Sequence, residues 1–215
     1  MAARTTRPAQ VPGQEAGTER AALPLPTQID QCRRCGLWRH ATHGVAGEGP
    51  SPAEVMLVGE QPGDVEDRAG RPFVGPAGRV LDELLAEAGL ARSDVYVTNA
   101  VKHFKWEPRG KRRLHRRPSV AEIDACQAWL DQEILAVRPR ILIVLGATAA
   151  RAVLHRTMSI ESSRRHTLDH PSGARVFVTY HPSAVLRADK GSEQLRGWLL
   201  HDLRRAAKAL ADLLP

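Results

Sequence analysis

Residues 141–146, Ile-Leu-Ile-Val-Leu-Gly, place the strongest constraint on what this chain can fold into. Five consecutive branched aliphatic residues closed by glycine lack the alternation of a half-solvated strand and the length of a helix. Both faces of such a segment must be covered, as in a central strand of a parallel sheet. Three further segments extend the pattern: AEVMLVG at 53–59, DVYVT at 94–98 and RVFVTYHPS at 175–183. Helical patterns lie between and after them. Val80, Leu81, Leu84, Leu85 and Ala88 recur at helical spacing, with Gly89 as the stop. Ser119 and Glu122 form a capping box opening a helix with Ile123, Cys126, Leu130 and Ile134 on one face, ended by Arg138-Pro139. A short helix is predicted over 147–154 and an amphipathic one over 193–214. Strands alternating with helices predict an α/β fold, a three-layer αβα sandwich around a central, mainly parallel four-stranded sheet. Functional loops of such sheets lie beyond the carboxyl ends of the strands. Gly59-Glu60-Gln61-Pro62-Gly63, Asn99, Gly146 and His181-Pro182-Ser183 all fall there. None of them matches a P-loop or a GxGxxG turn, so no nucleotide-cofactor site is expected.

Charge is concentrated in one segment. Arg109, Lys111, Arg112, Arg113, Arg116 and Arg117 occupy six of nine positions, with His115 among them; without these six the formal net charge of +7 falls to +1. Pro108, Gly110 and Pro118 oppose a helix, so residues 105–118 read as a basic insertion loop. Such a loop suits a polyanion, nucleic acid first; the alternative is a solvated charge run.

At 215 residues, the chain is read as a flexible tail over 1–25 followed by one domain over 26–215. No apolar run reaches bilayer length, and the polar N-terminus lacks a signal peptide's apolar centre. A cytoplasmic, nucleoid-associated protein without membrane contact is therefore expected. Of the three cysteines, two form Cys32-Arg-Arg-Cys35. In a cytosolic chain this pair points to a metal or cluster rather than a disulfide.

Four segments, GEQPGDVEDRAGRPFVGPAGR (59–79), TNAVKHFKW (98–106), LGATAAR (145–151) and YHPSAVLR (180–187), resemble the ordered motifs of the uracil-DNA glycosylase superfamily. The resemblance covers about residues 28–212. It is to the iron–sulfur family 4 branch and, through KRRLH at 111–115, to the UdgX group, whose signature is KRRIH; Leu114 departs from it. The resemblance implies a Cys3His [4Fe–4S] site of Cys32, Cys35, His103 and Cys126, His103 standing where ordinary family 4 enzymes have a fourth Cys. Zinc also suits three Cys and one His, and spacing does not separate the two.

The implied substrate is uracil-containing DNA, preferably single-stranded, bound by a monomer. Phe73 would stack on the base. Asn99 would donate to uracil O4 and accept from N3–H, a pattern cytosine does not match. His181, in a turn with Ser183, would donate to O2 as negative charge builds there. Backbone N–H groups at Gln61 and Gly63 would face base or phosphate, and Asp67 would position. Lys111, Arg112 and Arg113 would contact phosphates. Glu60 would stabilise the oxocarbenium-like C1′. His115 would attack C1′ and stay attached, kept neutral by its cationic neighbours. The expected enzyme is thus a uracil-DNA glycosylase that crosslinks once. Its rivals are a family 4 enzyme that turns over, a non-catalytic single-strand nucleic-acid binder with structural zinc, and a redox sensor built on the cluster.

Overall fold

A computed structural model describes residues 22–213. Of the tail expected over 1–25, residues 1–21 lie outside the described residues. In chain order the elements are α1 (Pro26–Asp30), β1 (Val55–Gly59), α2 (Asp64–Ala69), α3 (Pro76–Glu87), β2 (Val95–Asn99), β3 (Trp106–Arg109) and β4 (Arg112–His115). Then come α4 (Val120–Val137), β5 (Ile141–Leu145), α5 (Ala147–Leu154), α6 (Ile160–Ser163), β6 (Thr167–Asp169), β7 (Arg175–Thr179), α7 (Pro182–Arg187) and α8 (Ser192–Ala211).

The main sheet runs β2-β1-β5-β7-β6. Its first four strands are parallel, and β6 joins β7 antiparallel at the edge. The sheet therefore has five strands, not four. Thr167-Leu168-Asp169 escapes a sequence reading because only Leu168 is even half-buried, so the edge strand carries no apolar pattern. β5 is central and buried throughout, as its composition requires. Its Leu142 and Val144 face α4 and α5, while Ile141, Ile143 and Leu145 face α3 and α8. Two-residue periodicity thus splits one strand between two cores, giving the three layers. No helix among the described residues is long and apolar enough to cross a membrane.

The basic segment is not a loop but a second, two-stranded sheet. β3 pairs antiparallel with β4, Trp106 opposite His115 and Arg109 opposite Arg112. Pro108 and Gly110 do exclude a helix. Gly110 turns the chain at φ 59°, and Pro108 is tolerated because this ribbon has free edges. Gln61 holds its open end: Nε2 donates to the carbonyls of Lys105 (3.2 Å) and Arg116 (3.0 Å), and Oε1 accepts from Lys105 N (3.1 Å). Trp106 Nε1 donates to His40 O at 2.8 Å. The hairpin is thereby fixed across the carboxyl end of the main sheet.

Candidate active site

The carboxyl ends of β1 and β2, the hairpin and the N-terminus of α7 enclose a cavity of about 370 Å³. Phe73, Asn99, His115, His181 and Ser183 line it, with Arg187 at its rim. Glycine at 59 is what lets two of these meet. A Cβ there would lie 2.4 Å from Asn99 Oδ1 and 2.6 Å from the Phe73 ring. Phe73 itself sits at φ 55°, an uncommon state for a side-chain-bearing residue, and its carbonyl packs against Gly78 where any Cβ would collide. Its ring lies 6.2 Å from that of His181, at 28° between planes. Asn99 is buried, and its backbone carbonyl accepts from Lys102 Nζ at 2.9 Å.

His181 caps α7. Its Nδ1 accepts from Ser183 N at 3.1 Å and lies 2.8 Å from the Ser183 hydroxyl. An accepting Nδ1 places the proton of the neutral ring on Nε2. Burial, helped by Arg187 and His115, pushes the imidazole down to about 4, so it stays neutral. A fixed neutral N–H donor is suited to meet negative charge that develops on a bound group.

Glu60 and His115 come together: Glu60 Oε1 is 3.3 Å from His115 Nε2. The cause of the neutrality of His115 differs from the sequence expectation. Its pKa is lowered mainly by desolvation of the ring against the cavity wall, although 45% of the side chain stays exposed, and additionally by Arg187, while Glu60 opposes the shift. Three of the neighbouring cations are bound elsewhere, Arg113 to Asp64 and Asp67, Arg116 to Glu107 and Arg117 to Thr148.

Arg113 shows where. It pairs with Asp64 and, at 2.6 Å, with Asp67, and its guanidinium lies over the Phe104 and Trp106 rings. With 12% of its side chain exposed, Arg113 anchors the hairpin and does not present a free cation to phosphate, contrary to the sequence reading. Asp67 is likewise off the cavity wall. Fully buried, it accepts from Thr42 N at 2.9 Å as well as from Arg113. Lys111 and Arg112 remain exposed near the hairpin tip. Gln61 and Gly63 do line the cavity, but the Gln61 side chain is committed to the hairpin.

The four proposed ligands come from the CRRC segment, the stretch after β2 and α4. Cys35 packs against the core cluster that contains Cys126, and Trp129 Nε1 donates to Cys32 Sγ at 3.3 Å. His103 is buried and disfavoured as a cation by that burial. Among the described residues, no three metal-binding side chains converge on one point. By chemistry, three thiols and a neutral imidazole fit a [4Fe–4S] cluster, and zinc equally.

Sequence reasoning missed four residues. Lys102 and Glu133 form a fully buried ion pair at 2.6 Å, joined by Thr98 Oγ1 and Gly47 N. Arg187 lies inside YHPSAVLR but drew no role there. Thr148, in LGATAAR, donates to Glu60 Oε2.

The model of the uracil DNA glycosylase superfamily matches residues 46–205. The chain is similar to a type-4 uracil-DNA glycosylase of Thermotoga maritima, 38% identical, covering 83% of this chain and 89% of the relative. It is 36% identical to the type-4 enzyme of Saccharolobus solfataricus, covering 86% and 84% respectively. A type-5 uracil-DNA glycosylase of Pyrobaculum aerophilum is 34% identical over 73% of each chain.

Proposed function

The chain belongs to the uracil DNA glycosylase superfamily, and from that premise we propose that it excises uracil from DNA, preferably single-stranded, as a UdgX-type enzyme. It ends joined to the deoxyribose C1′ through His115. The observation that carries this reading is the 3.3 Å approach to Glu60 of His115 Nε2, whose ring lines the cavity furnished with Phe73, Asn99 and His181 while Glu60 lines the adjoining pocket. A histidine that only bound phosphate would have no need of a carboxylate partner.

The extruded base enters the cavity against Phe73, with the Asn99 amide on its O4–N3 edge and His181 Nε2–H toward O2. As the C1′–N1 bond breaks, its electron pair leaves on uracil, met by the His181 donor. Positive charge on C1′ is met by Glu60. A nitrogen of neutral His115 then bonds C1′. The resulting imidazolium sheds its remaining N–H proton, balancing the proton that uracil takes up from water. Lys111 and Arg112 hold phosphates outside the cavity.

Cys32, Cys35, His103 and Cys126 would hold a [4Fe–4S] cluster, which when bound supplies a structural tie between the CRRC segment, the stretch after β2 and α4. Isolated protein containing iron would favour it; zinc would favour the alternative metal.

A single-stranded oligonucleotide with one uracil, run on a denaturing gel, tests the function. A heat- and detergent-stable shifted band, absent with thymine, is expected. His115→Ser should abolish the band yet leave an alkali-labile abasic site, because water replaces the imidazole. Alkali-cleavable DNA without a band for the wild type would establish a turning-over enzyme instead. Intact DNA throughout would overturn the glycosylase reading.

A further inference from the structure

Only one oxygen of Glu60 faces His115. The other accepts a hydrogen bond from Thr148 Oγ1, and that hydroxyl in turn accepts from Arg117 Nε at 3.2 Å. Thr148 is 1% exposed, in the first turn of α5 just beyond the end of β5. A hydroxyl has a single proton and two lone pairs. With an arginine N–H on one lone pair, that proton is directed at Glu60. Arg117 leaves the hairpin two residues after His115, so one segment delivers both the nucleophile and the group that orients the hydroxyl.

We infer that Arg117 and Thr148 form a positioning relay that fixes Glu60, coupling the docked hairpin to the orientation of the reacting carboxylate. Glutamate has three rotatable side-chain bonds, and burial against one partner leaves its plane free to turn. A fixed donor on one oxygen restrains that plane: Thr148 gives it from the rigid end of α5, which leaves the other oxygen facing His115 Nε2 at 3.3 Å. Thr148 lines neither the cavity nor the pocket that adjoins it, so its route to the reaction is through Glu60. The role presupposes that Glu60 and His115 are the reacting pair proposed above.

The test is single-turnover crosslinking to a uracil-containing oligonucleotide at saturating DNA. Thr148→Val keeps the shape of the side chain and removes the hydroxyl. It is expected to slow the reaction about ten- to a hundred-fold, the worth of a hydrogen bond to a charged group. Thr148→Ser, which restores the donor, should return most of the rate. In a Glu60→Gln background, Thr148→Val should cost less than about two-fold more, because a residue acting through Glu60 has nothing left to position. An equal loss in both backgrounds would make Thr148 a packing residue and overturn the relay. Should Thr148→Val not fold, Arg117→Met, at an exposed position, is compared in the same two backgrounds. Equal losses there overturn the relay too. Wild-type rates for both Glu60→Gln and His115→Ser would instead remove the reacting pair itself. Loss in those two with none in Thr148→Val would remove only the relay.

Discussion

Replacing Gln61 by methionine separates the placement of the hairpin from the binding of the base. The glutamine side chain makes three hydrogen bonds across the open end of the ribbon, to Lys105 N, Lys105 O and Arg116 O, at 3.0–3.2 Å. Methionine keeps the length and the packing and removes all three. At about 0.5–1.5 kcal/mol net for each bond, docking of the hairpin should weaken by roughly 1.5–4.5 kcal/mol. Three anchors survive the change: Arg116 N to Lys105 O, Trp106 to His40 O, and Arg113 to its two aspartates. They place the net effect toward the lower end, a loss of about ten-fold or somewhat more in the rate at which His115 is delivered to C1′. Phe73, Asn99 and His181 stand on the main sheet and its following loops, so base release should fall much less. A rapid-quench time course on a denaturing gel reads both quantities, crosslinked protein and alkali-labile free DNA. The expected result is a product ratio shifted toward free abasic DNA, with the thermal midpoint of the domain little changed. If crosslink and release fall by the same factor, Gln61 serves the base directly and the clasp is irrelevant. An unchanged crosslinking rate would show that the hairpin holds its place without it.

The remaining expectations are shorter. His115 is pushed below its ordinary range of about 6.5 mainly by desolvation, with Arg187 adding to the shift; attack needs the neutral ring, so crosslinking should stay on its plateau at neutral pH and fall only as acid protonates the ring. Arg187→Met removes the added push on His115, so the acid limb of its pH–rate profile should move to higher pH; an unmoved limb contradicts the assignment. Gly59→Ala would set a Cβ 2.4 Å from Asn99 Oδ1 and 2.6 Å from the Phe73 ring; stability should drop by about 1–3 kcal/mol of overpacking, and uracil release should fall out of proportion to the unfolding seen by circular dichroism. Lys102→Met strands Glu133 at 0% exposure, which should cost about 3–5 kcal/mol in denaturant unfolding; the double change Lys102→Met, Glu133→Leu should regain part of that loss, since no unpaired charge remains buried.

Much of the frame is legible in the sequence. Residues 141–145 are apolar on both faces, and no environment except the middle of a covered sheet accepts them; β5 lies there. Once strands and helices alternate, the loops after the strands must gather at one edge, which is why Glu60, Asn99 and His181 could be grouped from sequence alone. The spacing of Ile123, Cys126, Leu130 and Ile134 likewise fixed which face of α4 enters the core. Local pattern is sufficient in these cases because burial is averaged over many residues and repeats with the period of the element.

The hairpin, the edge strand and the partners of the charged groups were decided only by the tertiary structure. Six cations in nine positions suggest repulsion and solvent; two aspartates from α2, far away in the chain, convert Arg113 into an anchor. Gln61 meets Arg116 across 55 residues, and Thr148 meets Glu60 across 88. No periodicity records such a meeting. A hydrogen bond or ion pair depends on atoms within about 3 Å and on their angle, and those are set when separate elements pack. Composition and periodicity determined the layers and the edge on which the site would lie. Which carboxylate faces which histidine, and what holds it there, depended on how the hairpin and α5 close over the ends of β1 and β5.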